Sequence, residues 1–283
     1  MTFLETHQLF QTRLKEIYPQ TEIETFFFWV LEDCFDFKRI DYLMRKEETI
    51  PIEKQQEIQK ILDRLENQEP IQHILGYAEF FGLTFEVSNN TLIPRPETEE
   101  LVAWVLDDLK TISRKDFSII DIGTGSGCIP VSLAKELQIS VDAVDISEEA
   151  LQIAKKNAQR NKVQVAFHQM NILTSVQLPK QYDIIISNPP YVRQLEKAEM
   201  KKNVLDFEPA LALFVSDEDP LIFYKAIADL AKKYLKPKGR LFFEINQYLG
   251  EQTIALLKQK GYSAIELRKD LFGNDRMIRA SLD

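Results

Sequence analysis

Cysteine is almost missing from this sequence. Cys34 and Cys128 are the only two among 283 residues, and they lie in segments of different character. A disulfide framework is therefore not expected. Histidine is nearly as scarce. His7, His73 and His168 share no ligand spacing, so no metal site is expected either. No stretch approaches the roughly 18 apolar residues of a membrane span. The start, Met1-Thr2-Phe3-Leu4-Glu5, lacks the basic residues and apolar run of a signal peptide. The expectation is a cytoplasmic protein with no membrane partner. Excess basic charge is also lacking. A net charge of −9 argues against indiscriminate nucleic-acid binding, which relies on neutralising phosphates. No stable nucleic-acid partner is expected. What remains is ordinary: 45% apolar and 28% charged residues, enough for a full core in one or two domains.

Residues 1–75 read as helices. Phe3, His7, Phe10, Leu14 and Ile17 recur at helical spacing, as do Ile23, Phe27, Val30, Leu31 and Cys34. A third stripe holds Ile58, Ile61, Leu62 and Leu65. Thr2–Glu5 and Thr21–Glu24 both fit the capping-box pattern. Residues 79–87 are aromatic and alternating around Gly82, the mark of a hairpin. Leu92-Ile93-Pro94-Arg95-Pro96 is a stiff connector, followed by a helix over 97–109. Strands are expected at 117–122, 141–145, 163–168, 182–187 and 241–245, alternating with helices. The end, 263–267 and 277–282, reads as an antiparallel pair. The pattern predicts an α/β fold with a mostly parallel sheet, an antiparallel C-terminal hairpin and a small N-terminal helical bundle. The expected divisions are a bundle over 1–75, a hairpin and linker over 76–96, and the sheet domain over 97–283.

Asp121-Ile122-Gly123-Thr124-Gly125-Ser126-Gly127 ends the first strand of that sheet. Alternate glycines allow a tight turn and close approach of backbone to a ligand. A dinucleotide fingerprint needs G-x-G-x-x-G, but Cys128 stands at its third glycine position, so that pattern fails. The shorter loop suits a ligand without a pyrophosphate, such as S-adenosylmethionine. On that reading Asp121 lies near the methionine ammonium. Asp145 ends the second strand, where a carboxylate accepts both ribose hydroxyls. Asn171-Ile172, after the third strand, would meet the adenine. Each feature also has a plainer reading: a strand-to-helix turn, a helix cap (a role Ser147 fills better) and a capped loop.

Asn188-Pro189-Pro190-Tyr191 follows the run Ile184-Ile185-Ile186-Ser187. Two prolines supply no N–H and hold their carbonyls in a stiff geometry. Asn188 adds a side-chain carbonyl and Tyr191 a flat ring. Together they form a clamp for a planar group bearing an NH2. The alternative is that the prolines end a strand and Tyr191 belongs to the core.

With these residues in place the sequence resembles the S-adenosylmethionine-dependent amino-methyltransferases, and within them the HemK/PrmC family. These are protein-(glutamine-N5) methyltransferases of class-1 peptide chain release factors. The resemblance covers nearly the whole chain. It includes Gly76, Glu79-Phe80-Phe81-Gly82, Ile93-Pro94-Arg95-Pro96-Glu97-Thr98-Glu99, the glycine loop, Asn188–Tyr191, Glu208-Pro209-Ala210-Leu211-Ala212-Leu213 and Asp275-Arg276. It departs at Asn171, where an acid is more usual, at Gln72-His73, where an aromatic is common, and at Asn246, in place of glycine. The resemblance implies a Rossmann-like methyltransferase fold and a glutamine carboxamide as methyl acceptor. It also implies a helical N-terminal block that grips the release factor. Asn188, Pro189, Pro190 and Tyr191 would hold the amide for catalysis. Asp121, Gly123, Thr124, Gly125, Ser126, Gly127, Asp145, Asn171, Ile172 and Asn188 would line the cofactor. The competing expectation is a nucleic-acid amino-methyltransferase, whose clamp would take a flipped-out adenine or guanine. A cofactor-binding scaffold without activity is a third.

Overall fold

The computed structural model describes residues 1–112, 116–174 and 177–282. Met1–Gly76 and Lys201–Phe207 form one compact unit; Tyr77–Met200 and Glu208–Asp283 form the other. Among the described residues no helix is long and apolar enough to cross a membrane.

The first unit is helical: α1 (Phe3–Leu14), α2 (Gln20–Phe35), α3 (Arg39–Arg45), α4 (Ile52–Glu66) and α5 (Ile71–Leu75). Helix α1 starts at a capping box. The Thr2 hydroxyl accepts from the Glu5 N–H at 3.1 Å, and the Glu5 carboxylate accepts from the Thr2 N–H at 2.7 Å. Phe3, Phe10, Leu14, Ile23, Phe27, Leu31, Ile58, Leu62 and Leu65 merge into one core. Two local expectations fail. The second capping box does not form, because Pro19 stands at the N-cap with extended backbone and α2 begins at Gln20. Thr21 is therefore already inside the first turn. Ile17 leaves its stripe because α1 stops at Leu14, and it is 37% exposed.

The second unit opens with the hairpin β1 (Tyr77–Phe80) and β2 (Leu83–Glu86), then α6 (Pro96–Lys110). Pro96 sits in the first turn of α6, where no N–H is required. Strands and helices then alternate: β3 (Ile119–Ile122), α7 (Cys128–Leu137), β4 (Val141–Asp145), α8 (Glu148–Arg160), β5 (Val165–Gln169) and β6 (Tyr182–Ser187). After β6 come β7 (Val192–Arg193), a 3-10 turn (Gln194–Glu199), α9 (Lys202–Phe207, part of the first unit), α10 (Ala210–Leu213) and β8 (Phe214–Val215). The chain ends with α11 (Ile222–Tyr234), β9 (Leu235–Glu244), α12 (Gly250–Gln259), β10 (Ser263–Lys269) and β11 (Asp275–Ser281).

Seven strands form one sheet in the order β10-β11-β9-β6-β3-β4-β5. Strands β5, β4, β3, β6 and β9 run parallel, and β11 and β10 close the far edge antiparallel. Central strands β3 and β6 are buried along their whole length, as a sheet covered on both faces requires. Alternation sorts their isoleucines. Ile119, Ile184 and Ile186 pack with Leu101, Trp104 and Val105 of α6 and Ile129 and Val131 of α7. Ile120, Ile122 and Ile185 pack with Tyr224 and Ile227 of α11 and Leu256 and Leu257 of α12 on the other face. Strand β9 starts earlier than the apolar pattern predicts. Tyr182 pairs with Leu235, and regular pairing resumes at Ile184 with Arg240, so the polar Lys236-Pro237-Lys238-Gly239 is carried as an irregularity.

One buried side chain joins the hairpin to the glycine loop. Asn157 of α8 accepts from the Glu86 N–H at 2.6 Å, and its amide donates to Glu86 O at 3.0 Å and Ser126 O at 2.8 Å. Truncating it strands three backbone groups. Asn157→Ala is expected to lower unfolding free energy by about 2–4 kcal/mol in denaturant titrations. A change below about 0.5 kcal/mol would show that the groups find other partners.

Candidate active site

Parallel register brings the site together. Ile122 of β3 pairs with Val144 of β4 and Ser187 of β6, and Ser187 pairs with Phe243 of β9. The next residue on each strand or loop is Asp145, Gly123, Asn188 and Glu244. Four motifs far apart in sequence thus reach the carboxyl edge side by side. This is the edge where open α/β sheets bind ligands, and β3 is the point from which the strand order runs both ways.

The glycine loop turns sharply, with φ of +53° at Gly125 and +80° at Gly127. A Cβ on Gly127 would lie 2.9 Å from the Ala154 Cβ, so α7 and α8 approach as closely as they do only with glycine there. Gly123 and Thr124 donate their N–H groups to Val144 O. Thr124 and Ser126 are buried, and the Thr124 hydroxyl makes no hydrogen bond of normal geometry among the described residues. Asp145 ties the loop to β4: one carboxylate oxygen accepts from the Gly125 N–H at 2.8 Å, the other from the Ser147 N–H at 3.0 Å. Burial pushes the Asp145 pKa up, and those N–H groups oppose the rise. Ser147 caps α8 by accepting from the Ala150 N–H. Asp145 is not the cap.

Asp121 is 0% exposed, and neither carboxyl oxygen makes a hydrogen bond that meets normal geometry. Burial raises its pKa to about 7, the Thr124 hydroxyl opposing and the Asp145 carboxylate adding to the rise. The arrangement offers a cationic ligand group an uncompensated carboxyl beside bare glycine backbone. Asn171 is exposed, and its side chain accepts from the Leu173 N–H at 3.0 Å. It follows Met170, whose N–H donates to Asp145 O at 2.8 Å, so this loop adjoins the end of β4. Ile172 is half-buried against the core.

Asn188 is half-buried at the end of β6 and Pro189 is buried. The Asn188 amide donates to the Thr98 hydroxyl at 3.2 Å, and Thr98 donates to Glu244 Oε2 at 2.6 Å. The Tyr191 hydroxyl donates to Glu244 Oε1 at 3.0 Å. Tyr191 thus spends its polar end inward while its ring packs partly on the core. Burial, with Glu244 beside it, raises the Tyr191 pKa. Burial likewise raises that of Glu244, with Thr98, Tyr191 and Arg276 opposing. Asn246 holds the backbone of the clamp: its amide donates to Tyr191 O at 3.0 Å and to Glu196 Oε2 at 2.9 Å. Arg95 pairs with the buried Glu208 at 2.5 Å, and Glu208 also accepts from the Ile93 N–H at 3.1 Å. The Pro-Arg-Pro and Glu-Pro-Ala segments therefore meet.

Sequence reasoning assigned nothing to Thr98, Glu244 or Glu196. Thr98 lies inside the Pro-Arg-Pro-Glu-Thr-Glu run, but no one-dimensional signal joins it to Glu244, 146 residues away.

The family described as PrmC N-terminal domain matches residues 5–76, and that described as methyltransferase small domain matches residues 103–207. The release factor glutamine methyltransferase of Flavobacterium psychrophilum is 49% identical over 274 residues, 96% of each chain. The enzyme of the same description from Bacteroides thetaiotaomicron is 46% identical, covering 95% of this chain and 96% of its own. The chain belongs to the release factor glutamine methyltransferase family. Its fold is also that of the T. thermophilus 16S rRNA N2 G1207 methyltransferase solved with AdoMet and guanosine. That match has a TM-score of 0.53 at 17% identity and covers 73% of this chain and 50% of the other. At that identity the likeness concerns the fold alone, whereas family membership rests on the nearly full-length relatives.

The buried Asp121 has a measurable consequence in the ligand-free protein. It takes up its proton near pH 7 when folded and near 3.8 when unfolded. Between those values the folded state binds more protons, so stability falls as pH rises through the window and stays low above it. Asp121→Asn, which mimics the neutral acid, is expected to be more stable than the native chain at pH 8, by up to about 4 kcal/mol. The gap should close towards pH 4 in denaturant titrations. A gap that does not vary with pH would contradict the buried-acid account.

Proposed function

We propose that this protein transfers a methyl group from S-adenosylmethionine to the side-chain amide nitrogen of a glutamine. The acceptor is the glutamine of the Gly-Gly-Gln motif of class-1 peptide chain release factors. The observation that carries this reading is an intact Asn188–Tyr191 clamp in a chain 49% identical over 274 residues to a release factor glutamine methyltransferase.

S-adenosylmethionine supplies a methyl group already activated by a sulfonium centre. The residues at the carboxyl edge fit such a molecule. Asp121, buried without a formed hydrogen bond, would hold the amino-acid ammonium. The backbone of Gly123–Gly127, with the Thr124 and Ser126 side chains turned into the protein, would lie against it. Asp145 would accept the ribose hydroxyls on lone pairs left over from Gly125 and Ser147. Asn171 and Ile172 would border the adenine.

The acceptor is the harder part. An amide nitrogen is a poor nucleophile because its lone pair is delocalised into the carbonyl. Position and electrostatics must come from the protein. The Asn188 side-chain carbonyl and the Pro189 backbone carbonyl would each accept one N–H of the glutamine. As positive charge develops on nitrogen, both dipoles stabilise it. Pro190 and the Tyr191 ring would pack on the amide plane; the Tyr191 hydroxyl, held by Glu244, is not available to it. Alignment of this kind recovers roughly 7–11 kcal/mol of barrier in well-oriented reactions. No general base is assigned, since the proton leaves after the new bond forms. The helical first unit is the part of the chain proposed to grip the release factor.

Radiolabelled cofactor, a purified class-1 release factor and a variant lacking the Gly-Gly-Gln glutamine test the reading together. Label is expected on the native factor alone. Label on tRNA, rRNA or DNA, with none on the factor, would overturn it in favour of a base-modifying enzyme. Asn188→Ala is expected to lower kcat about 100-fold, a loss typical of removing one transition-state dipole. Cofactor affinity by calorimetry should hardly change. Asp145→Ala should do the reverse, weakening the cofactor first; unchanged affinity would remove Asp145 from the ribose.

A further inference from the structure

We infer that Thr98 is a positioning residue that fixes which end of the Asn188 carboxamide faces the reacting amide. The inference rests on the clamp reading above. A clamp of this design has one weakness: a carboxamide is nearly symmetric in shape. Rotated by half a turn, Asn188 would present its NH2 where its carbonyl is needed. Two N–H donors would then oppose each other, and the substrate amide would be repelled.

The orientation is set by a chain of committed protons. Glu244 and Thr98 are 1% and 2% exposed, so no water competes for either. Two hydroxyl donors and the nearby Arg276 charge favour the ionised form of Glu244, and both oxygens of an ionised carboxylate are acceptors only. Thr98 at 2.6 Å from Oε2 must therefore give it its single hydroxyl proton. The same holds at Oε1, where Tyr191 donates. With its proton committed, the Thr98 oxygen has only lone pairs left to offer Asn188, at 3.2 Å. The Asn188 atom facing Thr98 must be the NH2, which leaves its carbonyl for the substrate. Among the described residues no other group donates to that carbonyl. The relay begins on β9, crosses through the first turn of α6, and ends on the residue after β6. It gives the Pro-Arg-Pro-Glu-Thr-Glu segment a task beyond stiffening a linker.

Thr98→Val keeps the shape and removes the hydroxyl; Thr98→Ser keeps the hydroxyl. With wild-type enzyme methylating the release factor as reference, Thr98→Val is expected to lose about five- to tenfold in kcat. Its KM for the release factor and its affinity for S-adenosylmethionine should stay within about twofold, because neither surface is touched. Thr98→Ser should retain kcat within about twofold, and a loss in it equal to that of valine would overturn the inference even if the valine variant folded poorly. The deciding measurement is the double variant. A residue that acts only through Asn188 has nothing left to do in Asn188→Ala, so adding Thr98→Val there should change kcat less than twofold. A full additional five- to tenfold loss in that background would assign Thr98 a role independent of the clamp and refute the inference. Absence of methyl transfer by the wild-type enzyme would instead remove the clamp reading itself.

Discussion

The register of the parallel sheet is the constraint on which the rest depends. Val144, Ile122, Ser187 and Phe243 lie in line across four strands, so each strand gives up its regular pairing at nearly one level. What emerges there is decided by single residues: an acid, a glycine, a carboxamide and a second acid. A slip of one residue in β6 would turn Asn188 to the opposite face and break every contact of the clamp. The register is held by more than backbone. Ser187 is fully buried, and its hydroxyl donates to Ile122 O at 2.6 Å, pinning β6 to β3 one residue before the clamp. The isoleucines of both strands, sorted to opposite faces, resist the same slip because each would have to exchange one packed core for the other.

That edge gathers carboxyl groups in an apolar setting, and two of the buried ones, Glu244 and Asp121, are treated differently. Glu244 is compensated: two hydroxyls donate to it and Arg276 lies close enough to oppose its raised pKa. Asp121 is left without formed hydrogen bonds, and its pKa climbs to about 7. Burying a carboxyl with donors spends its charge on internal order. Burying one without them keeps an unsatisfied site, costly in the empty protein and ready for a cation. The first arrangement suits a residue that orients neighbours, the second one that meets a charged ligand.

Much of this was legible in one dimension because the signals were local. The helical stripes, the alternation of strand and helix, the glycine loop and the Asn-Pro-Pro-Tyr run all declare themselves within a dozen residues. The errors were local too. Ile17 continued a stripe on paper, but a helix ends where its backbone ends, at Leu14. Thr21 and Glu24 had the spacing of a capping box, but Pro19, already fixed in φ, took the cap. The apolar pattern shortens strand β9 because its first half carries Lys236-Pro237-Lys238-Gly239, which reads as a turn. The relay behind Asn188 was out of reach for another reason. Thr98, Asn188 and Glu244 come from three regions of the chain, and only the strand order, with β9 beside β6, makes them neighbours. Glu208 shows the same limit: its partners Ile93 and Arg95 lie more than a hundred residues earlier.

Asn246, which departs from the glycine expected there, shows how the clamp is braced on its second side. Its amide holds Tyr191 O and Glu196, its carbonyl accepts from the Tyr248 N–H, and Glu196 in turn accepts from the Arg193 backbone and guanidinium. The side chain of Asn188 is thus fixed from β9 and α6, and the backbone beyond Pro190 is fixed from the turn after β9. Prolines alone restrain φ but leave ψ to be settled by surroundings. With both ends tied, the two carbonyls of the proposed clamp would have little freedom to reorient as charge developed between them. Dipoles that need no reorganisation during reaction are the ones that lower a barrier, and the energy of arranging them is spent once, when the chain folds. A methyl transfer to so weak a nucleophile as an amide depends on that economy more than on any acid or base.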